Sequence, residues 1–356
     1  MFESLGLDIT AREASVFLGL GIGLLFGVLA ERTKFCFRRS LVGEDRKQAL
    51  GVWLMALAVA VIGTQAAVAA GWITFADHRF MAPALPVAAI VIGGALFGAG
   101  MVLTRGCISR LTVLTGSGNL RAALVVVVFA ITAHATLKGV LAPVRTTLGA
   151  LTVDLGDAVS LAALPGGAPV WAALIALAAL AVALRSGNRP LALVGGALIG
   201  LLVPLGWVGT GYVLFDEFEP IAMESLSFTL PAAESLFYTI ASSAIEPSFG
   251  PALVGGVFLG ALAAALAFGS FQWQSFEAPR QTGRYLAGAV MMGLGGVLAG
   301  GCTLGAGLSG VPTLSFAAIL AILAIAGGAL GMNALLSRSA SGSAAPSTRR
   351  VPQPAE

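Results

Sequence analysis

Apolar runs long enough to cross a bilayer, about 17–25 residues, recur from near residue 15 to near residue 336 of this 356-residue chain. Backbone in hydrocarbon must satisfy its own hydrogen bonds, so runs of this kind fold as helices. Charged residues make up 10% of the chain and hydrophobic residues 57%, where a soluble domain carries about 25% charged residues. The chain therefore reads as an all-α polytopic membrane protein. Apolar length between polar breaks places nine spans, at roughly 15–30, 50–71, 84–104, 121–141, 168–185, 190–213, 250–270, 284–300 and 313–336. Glu3, Asp8 and Glu13 precede or open the first span, so no cleaved signal peptide is expected. A net charge of +3 suggests no nucleic-acid partner.

Basic residues set the orientation. Arg32, Lys34, Arg38, Arg39, Arg46 and Lys47 follow the first span, Arg105, Arg110 and Arg121 surround the third break, and Arg185, Arg189, Arg280 and Arg284 mark two more. Counting spans puts all of these on one side, with the tail arginines Arg338, Arg349 and Arg350, and that side is the cytoplasm. The N-terminus is then periplasmic and the C-terminus cytoplasmic. Residues 146–167 form a periplasmic connector between a first half, 1–145, and a second half, 168–336. Residues 337–356 read as a disordered cytoplasmic tail. The acidic segment 215–249 falls outside, and because it would repel an anion it is expected to lie away from any anion-conducting mouth.

A ten-residue pattern occurs twice. Gly98-Ala-Gly100-Met-Val-Leu-Thr-Arg-Gly106-Cys107 and Gly293-Leu-Gly295-Gly-Val-Leu-Ala-Gly-Gly301-Cys302 both read G-x-G-x-V-L-x-x-G-C, 195 positions apart. The first copy ends a span running inward and the second a span running outward. This predicts an inverted-topology repeat, the architecture of many transporters. Gly106 and Gly301, just before the thiols, supply the non-helical backbone that membrane depth tolerates only beside a cavity. The segments after each Cys are too short to span and read as re-entrant half-helices. The third of the chain's 3 cysteines, Cys36, also follows a Gly-rich span.

A thiol at the start of a half-helix sees free N–H groups and the positive dipole end, a place suited to anions. Thiols are weak donors and polarizable partners for soft atoms. Three of them along one route suit a small anion with an exposed sulfur. A single membrane Cys would read as a small buried apolar residue, but two at equivalent repeat positions do not. Metal binding is disfavoured, since no CxxC is present and the only histidines are His78 and His134. No cofactor is expected. Enzyme chemistry would need a base paired with a Cys. Charged groups within spans deserve attention: His134 and Lys138 share a helix face and, with Arg38 and Arg105, are candidates for attracting the anion. Trp207 reads as an interfacial anchor beside another broken helix. No pair of buried acids for a proton relay is evident. The path predicted is a pair of funnels closing on a thin barrier, Cys302 toward the outer mouth and Cys107 and Cys36 deeper or toward the inner one. The leading reading is an importer of a small sulfur anion. The alternatives are a channel or exporter for sulfite, sulfide or a selenium analogue, and a membrane thiol enzyme or redox relay.

Phe35-Cys36-Phe37-Arg38, Arg105-Gly-Cys107-Ile-Ser-Arg110, Gly116-Ser-Gly-Asn-Leu-Arg121, Pro279-Arg-Gln-Thr-Gly-Arg-Tyr285 and Gly300-Gly-Cys302-Thr-Leu-Gly-Ala-Gly-Leu-Ser-Gly310 resemble the YeeE/YedE family of sulfur transporters. The resemblance covers roughly residues 15–336. It implies a bacterial inner-membrane importer of thiosulfate with inverted halves, short re-entrant helices and an hourglass profile. It places the family's three functional cysteines on Cys36, Cys107 and Cys302, and implies a cytosolic sulfur-accepting partner of the TusA or rhodanese kind. Ala306 stands where many members carry His.

Overall fold

The structure, a computed structural model, describes residues 9–217 and 219–342. Among them nine helical stretches are long and apolar enough to cross a membrane. The first crossing, Ala11–Val42, is a broken helix: α1 (Ala11–Thr33) followed by the short α2 (Phe37–Val42). Next come α3 (Arg46–Ala69), α4 (Val87–Leu103) with its continuation α5 (Ile108–Gly116), and α6 (Leu120–Lys138). The connector carries a short α7 (Ala142–Gly149). Then follow α8 (Gly167–Leu184), α9 (Pro190–Val208), a 13-residue α10 (Thr229–Ala241) and α11 (Phe249–Ala267). The chain closes with α12 (Pro279–Leu298), a wide π-helical segment Thr303–Gly310, and α13 (Phe316–Gly342). Of the expected disordered tail, residues 337–342 instead continue α13, and residues from 343 on lie outside the described residues.

Local chemistry explains the ends. Thr10 and Glu13 form a reciprocal cap on α1: the Glu13 N–H donates to the Thr10 hydroxyl (3.2 Å) and the Thr10 N–H to the Glu13 carboxylate (2.9 Å). Asn119 caps α6 by accepting from the Ala122 N–H at 3.0 Å. Pro190 and Pro279 occupy first-turn positions, where the missing N–H costs nothing. The Gly-rich end of α9 widens into a π-helical turn, Gly209–Val213, so the break expected beside Trp207 is present.

Hydrocarbon offers no hydrophobic drive between helices, so association rests on close packing of small residues. Gly19, Gly23 and Gly27 of α1 face Gly256 and Gly260 of α11, and a Cβ at Gly19 would come within 2.6 Å of the Phe249 carbonyl. Between α4 and α12, a Cβ at Gly100 would lie 2.5 Å from the Gly288 carbonyl, and one at Gly295 2.5 Å from the Gly93 carbonyl. One glycine from each copy of the repeated motif, Gly100 and Gly295, thus lies in this crossing, while Gly98 meets Ile325 of α13 and Gly293 meets Thr132 of α6.

The packing partners come in matched pairs. α1 packs on α11 as α9 packs on α3, and α4 on α13 as α12 on α6. α5 lies against α11 as the π-helical segment lies against α3, and α4 meets α12 between the two sets. α8 is additional and covers α3. Strands β1 (Ala84–Leu85) and β2 (Val153–Asp154) pair antiparallel, tying the α3–α4 loop to the connector.

Candidate functional site

Each cysteine sits at the same kind of backbone hinge. Two residues before it the chain is left-handed, at Lys34 (φ 52°), Arg105 (φ 60°) and Gly300 (φ 75°). The cysteine itself is extended: φ, ψ of −166°, 120° at Cys36, −76°, 164° at Cys107 and −89°, −172° at Cys302. A short helix starts immediately after. The left-handed residue ends the preceding helix, and the cysteine takes the position that caps the next. In each case the N–H three residues on faces the thiol, from Arg39, Arg110 and Gly305. The Gly305 N–H donates to Cys302 Sγ at 3.4 Å. Gly301 is required as well: a Cβ there would meet the Ala306 nitrogen at 2.9 Å. Gly106 is buried and fits beside the Leu111 side chain.

The three hinges converge. Cys36, Cys107 and Cys302 are 8%, 1% and 0% exposed and all are free thiols. The thiols of Cys36 and Cys107 are near enough for each to act on the other. Cys107 Sγ also lies 3.1 Å from the Ser109 hydroxyl. The Thr303 hydroxyl is buried without a hydrogen-bond partner and near enough to act on Cys107, and Cys302 and Cys107 are near enough for their charges to act on each other. The cluster offers soft sulfur and unspent donors in a dry setting. No group of three metal-ligating side chains that could hold a metal ion occurs among the described residues.

Beside the cluster opens a cavity of about 840 Å³, and its lining includes Gly305 and Ser309 of the segment that Cys302 begins. The rest of the lining comes from the α3–α4 loop (His78, Arg79), from α9 (Trp207) and from Glu224, Ser225 and Ser227. The acidic segment 215–249, expected to lie away from any anion-conducting mouth, contributes much of the wall of this cavity. Burial and the nearby Glu234 push the Glu224 carboxyl up to about 7, with Arg79 pulling the other way, so the feared repulsion is muted near neutral pH. Burial also raises Glu234. These two acids interact, the pair that sequence reading did not find; they are ten residues apart and meet only through the turn before α10. Burial and the Arg79 charge hold His78 down at about 4, so the ring is neutral. Its Nδ1 accepts from the Phe80 N–H at 3.3 Å, which leaves Nε2 as the donor. Trp207, expected as an interfacial anchor, is 3% exposed and packs edge-on to His78 at 5.3 Å. Arg79 is surrounded by protein yet its side chain is open to the cavity, and its charge acts on Glu224 and Cys302.

The other sequence candidates lie elsewhere. His134 stacks on Phe237 at 5.0 Å, and Lys138 is exposed at the end of α6. Neither is brought to the thiols. Arg105 is exposed, and Arg38 is half-buried with Nε unpartnered. Arg110, which has a part here that the sequence did not signal, donates to the Ala30 carbonyl (3.1 Å) and to Glu31 (3.3 Å), tying α5 to the end of α1. Arg79 stands in a loop with no periodic pattern, and its distance from the thiols in sequence conceals its place.

Residues 32–330 match the family described as sulphur transport. Among characterised proteins, the chain is 26% identical over 346 residues to the thiosulfate transporter TsuA of Spirochaeta thermophila, covering 86% of this chain and 94% of that one. It is 26% identical over 319 residues to the thiosulfate transporter TsuA of Escherichia coli, covering 82% and 86%. With nine crossing-length helices among the described residues and a family match over most of its length, this chain belongs to the sulphur transport family and is a multi-pass membrane transporter, not an enzyme.

Proposed function

We propose that this protein imports thiosulfate across a bacterial inner membrane, with its N-terminus periplasmic and its C-terminus cytoplasmic. The carrying observation is the convergence of three buried free thiols at matched helix breaks, beside a cavity walled by Arg79 and His78. The cavity is the outer vestibule. The sulfonate end of the anion meets the Arg79 guanidinium and the Nε2–H of His78. The terminal sulfur meets Cys302, then Cys107 and Cys36, through S–H contacts and the N–H groups of the short helices. A dianion in hydrocarbon is prohibitively costly without such compensation, and the thin thiol layer limits how far it must travel without water.

The chain is built as two inverted halves. The matched packing pairs, α1 on α11 with α9 on α3 and α4 on α13 with α12 on α6, support this. In that correspondence α10 answers to α2, so Phe228, which precedes α10, stands where Cys36 precedes α2. On the cytoplasmic side, a TusA-like or rhodanese-like protein accepts the sulfur.

Uptake of radiolabelled thiosulfate into membrane vesicles tests this, together with rescue of growth on thiosulfate in a strain lacking its own importers. Uptake and rescue are expected. Correct insertion with uptake of sulfite or sulfide but not thiosulfate would overturn the substrate.

A further inference from the structure

One wall of the vestibule sets Arg79, which the path uses, near an acid, Glu224, which the path leaves unused. Arg79 has no carboxylate within ion-pair distance among the described residues, and its guanidinium opens to the cavity. Glu224 lines this cavity and also a second one of about 380 Å³, which Glu234 shares. Glu224 thus stands at a wall between two water-accessible spaces, with Arg79 acting from one side and Glu234 from the other. Its backbone is fixed: the buried Thr210 hydroxyl accepts from the Glu224 N–H at 2.9 Å and lies 2.8 Å from the Glu224 carbonyl. Below, the Ser227 hydroxyl is buried without a partner, and it lies so close to Gly305 that a Cβ there would meet it at 2.7 Å.

We propose that Arg79 and Ser227 form an anion-capture site whose occupancy is linked to protonation of Glu224, so that an oxyanion and a proton enter the vestibule together. This rests on the import reading and specifies its first step. When Glu224 is ionised, its carboxylate competes for the Arg79 charge and repels a dianion. When a proton from the outer water forms the Glu224 O–H bond, Arg79 is left to the anion and the carboxyl can donate. When the anion leaves, the proton leaves.

The raised carboxyl, about 7, fits this exchange, since either state is reached near neutral pH. The other charged or titratable groups around the wall are few. The α3–α4 loop carries Asp77, His78 and Arg79, and α10 brings Glu234 and Tyr238. Arg12, at the start of α1, is paired with Glu246 at 3.3 Å. Of these, burial raises Glu234, and burial with the Arg79 charge holds His78 down at about 4, so His78 stays uncharged through the window.

The test uses purified full-length protein in detergent, with radiolabelled thiosulfate as the probe, and compares wild type, Glu224→Gln and Arg79→Gln. A one-unit rise of the Glu224 carboxyl on anion binding means about tenfold weaker binding well above neutral pH than well below it. Wild type should show that fall and take up protons when thiosulfate is added near pH 7 in weak buffer. Glu224→Gln should keep the acid-side affinity throughout and take up none. Arg79→Gln should bind weakly at every pH. If Glu224→Gln matches wild type in both pH profile and proton uptake, the linkage is wrong while import stands. If wild type binds no thiosulfate at any pH, the import reading and this inference fall together. Should Glu224→Gln fail to accumulate, Glu224→Asp carries the test, and an unmoved midpoint overturns the proposal.

Discussion

The Arg110–Glu31 ion pair holds the hinge of Cys107 to the helix that leads to Cys36, so breaking it should both destabilise the fold and loosen the thiol cluster. The two side chains are each 13% exposed and 3.3 Å apart. At an effective dielectric constant of 20 that separation gives a gross attraction of about 5 kcal/mol, most of which offsets the cost of removing both charges from water. Removing one partner of a buried pair typically costs about 3–5 kcal/mol. Here the Ser270 hydroxyl lies 3.5 Å from the other Glu31 oxygen, and the Phe35 N–H donates to the Ala30 carbonyl at 3.1 Å. Those contacts soften the loss, so Arg110→Met should cost about 3 kcal/mol, at the low end of that range. Glu31→Gln keeps an acceptor and should cost about 1–2 kcal/mol. If the pair is what matters, the double variant should cost less than the sum, with a coupling of about 1.5–3 kcal/mol. Unfolding in denaturing detergent, followed by helical circular dichroism for all four proteins, measures this. Additivity within about 0.5 kcal/mol would refute the coupling. Uptake should fall with Arg110→Met more than with Glu31→Gln, because only Arg110 belongs to the helix that Cys107 begins.

Cys302→Ala, Cys107→Ala and Cys36→Ala should each reduce thiosulfate uptake at least tenfold while the protein inserts normally; unimpaired uptake in any two of them would show that the thiols are only filler. Gly23→Val forces a side chain against the Leu253 carbonyl and should lower stability by about 1–3 kcal/mol, read as a drop in melting temperature, whereas Gly255→Ala, which faces open space, should change little. The pH response of stability should contain two opposed parts. His78, held down at about 4 in the fold, binds more protons when unfolded, so its contribution is lost as pH falls from about 6.5 to 4. Glu224, raised to about 7, binds more protons when folded, so its contribution grows as pH falls from about 7 to 4.5. The two nearly cancel between those limits, and Glu224→Gln should unmask a steeper acid destabilisation that His78→Gln removes.

The spans were legible because hydrocarbon imposes a length and a polarity that show in any window of the chain. The fourth span, expected at 121–141, ends as α6 at Lys138, and Gly139 is where the chain turns. The thiols were legible because a repeat set them apart from chance. The cavity beside them was not. His78 and Arg79 lie in an irregular loop with no period to read, and Glu224 and Glu234 sit in a segment whose acidity, taken alone, argues against an anion. What reversed that argument was burial, a property of the packed chain and not of its composition. A shared helix face made His134 and Lys138 candidates for attracting the anion, but it says which residues are neighbours, not which way the face turns, and theirs turns toward Phe237 and solvent.

The hinges bear on what the three thiol positions have in common. Lys34, Arg105 and Gly300 have little in common as residues, yet each holds the left-handed turn two places before a thiol. Glycine adopts that turn freely, while a side chain there costs about 1–2 kcal/mol. Two of the three positions carry that cost to keep a basic side chain, and both of those side chains are exposed. What the three thiols share is therefore a backbone shape with latitude in its letters, and a search by letters alone pairs Cys107 with Cys302 but passes over Cys36.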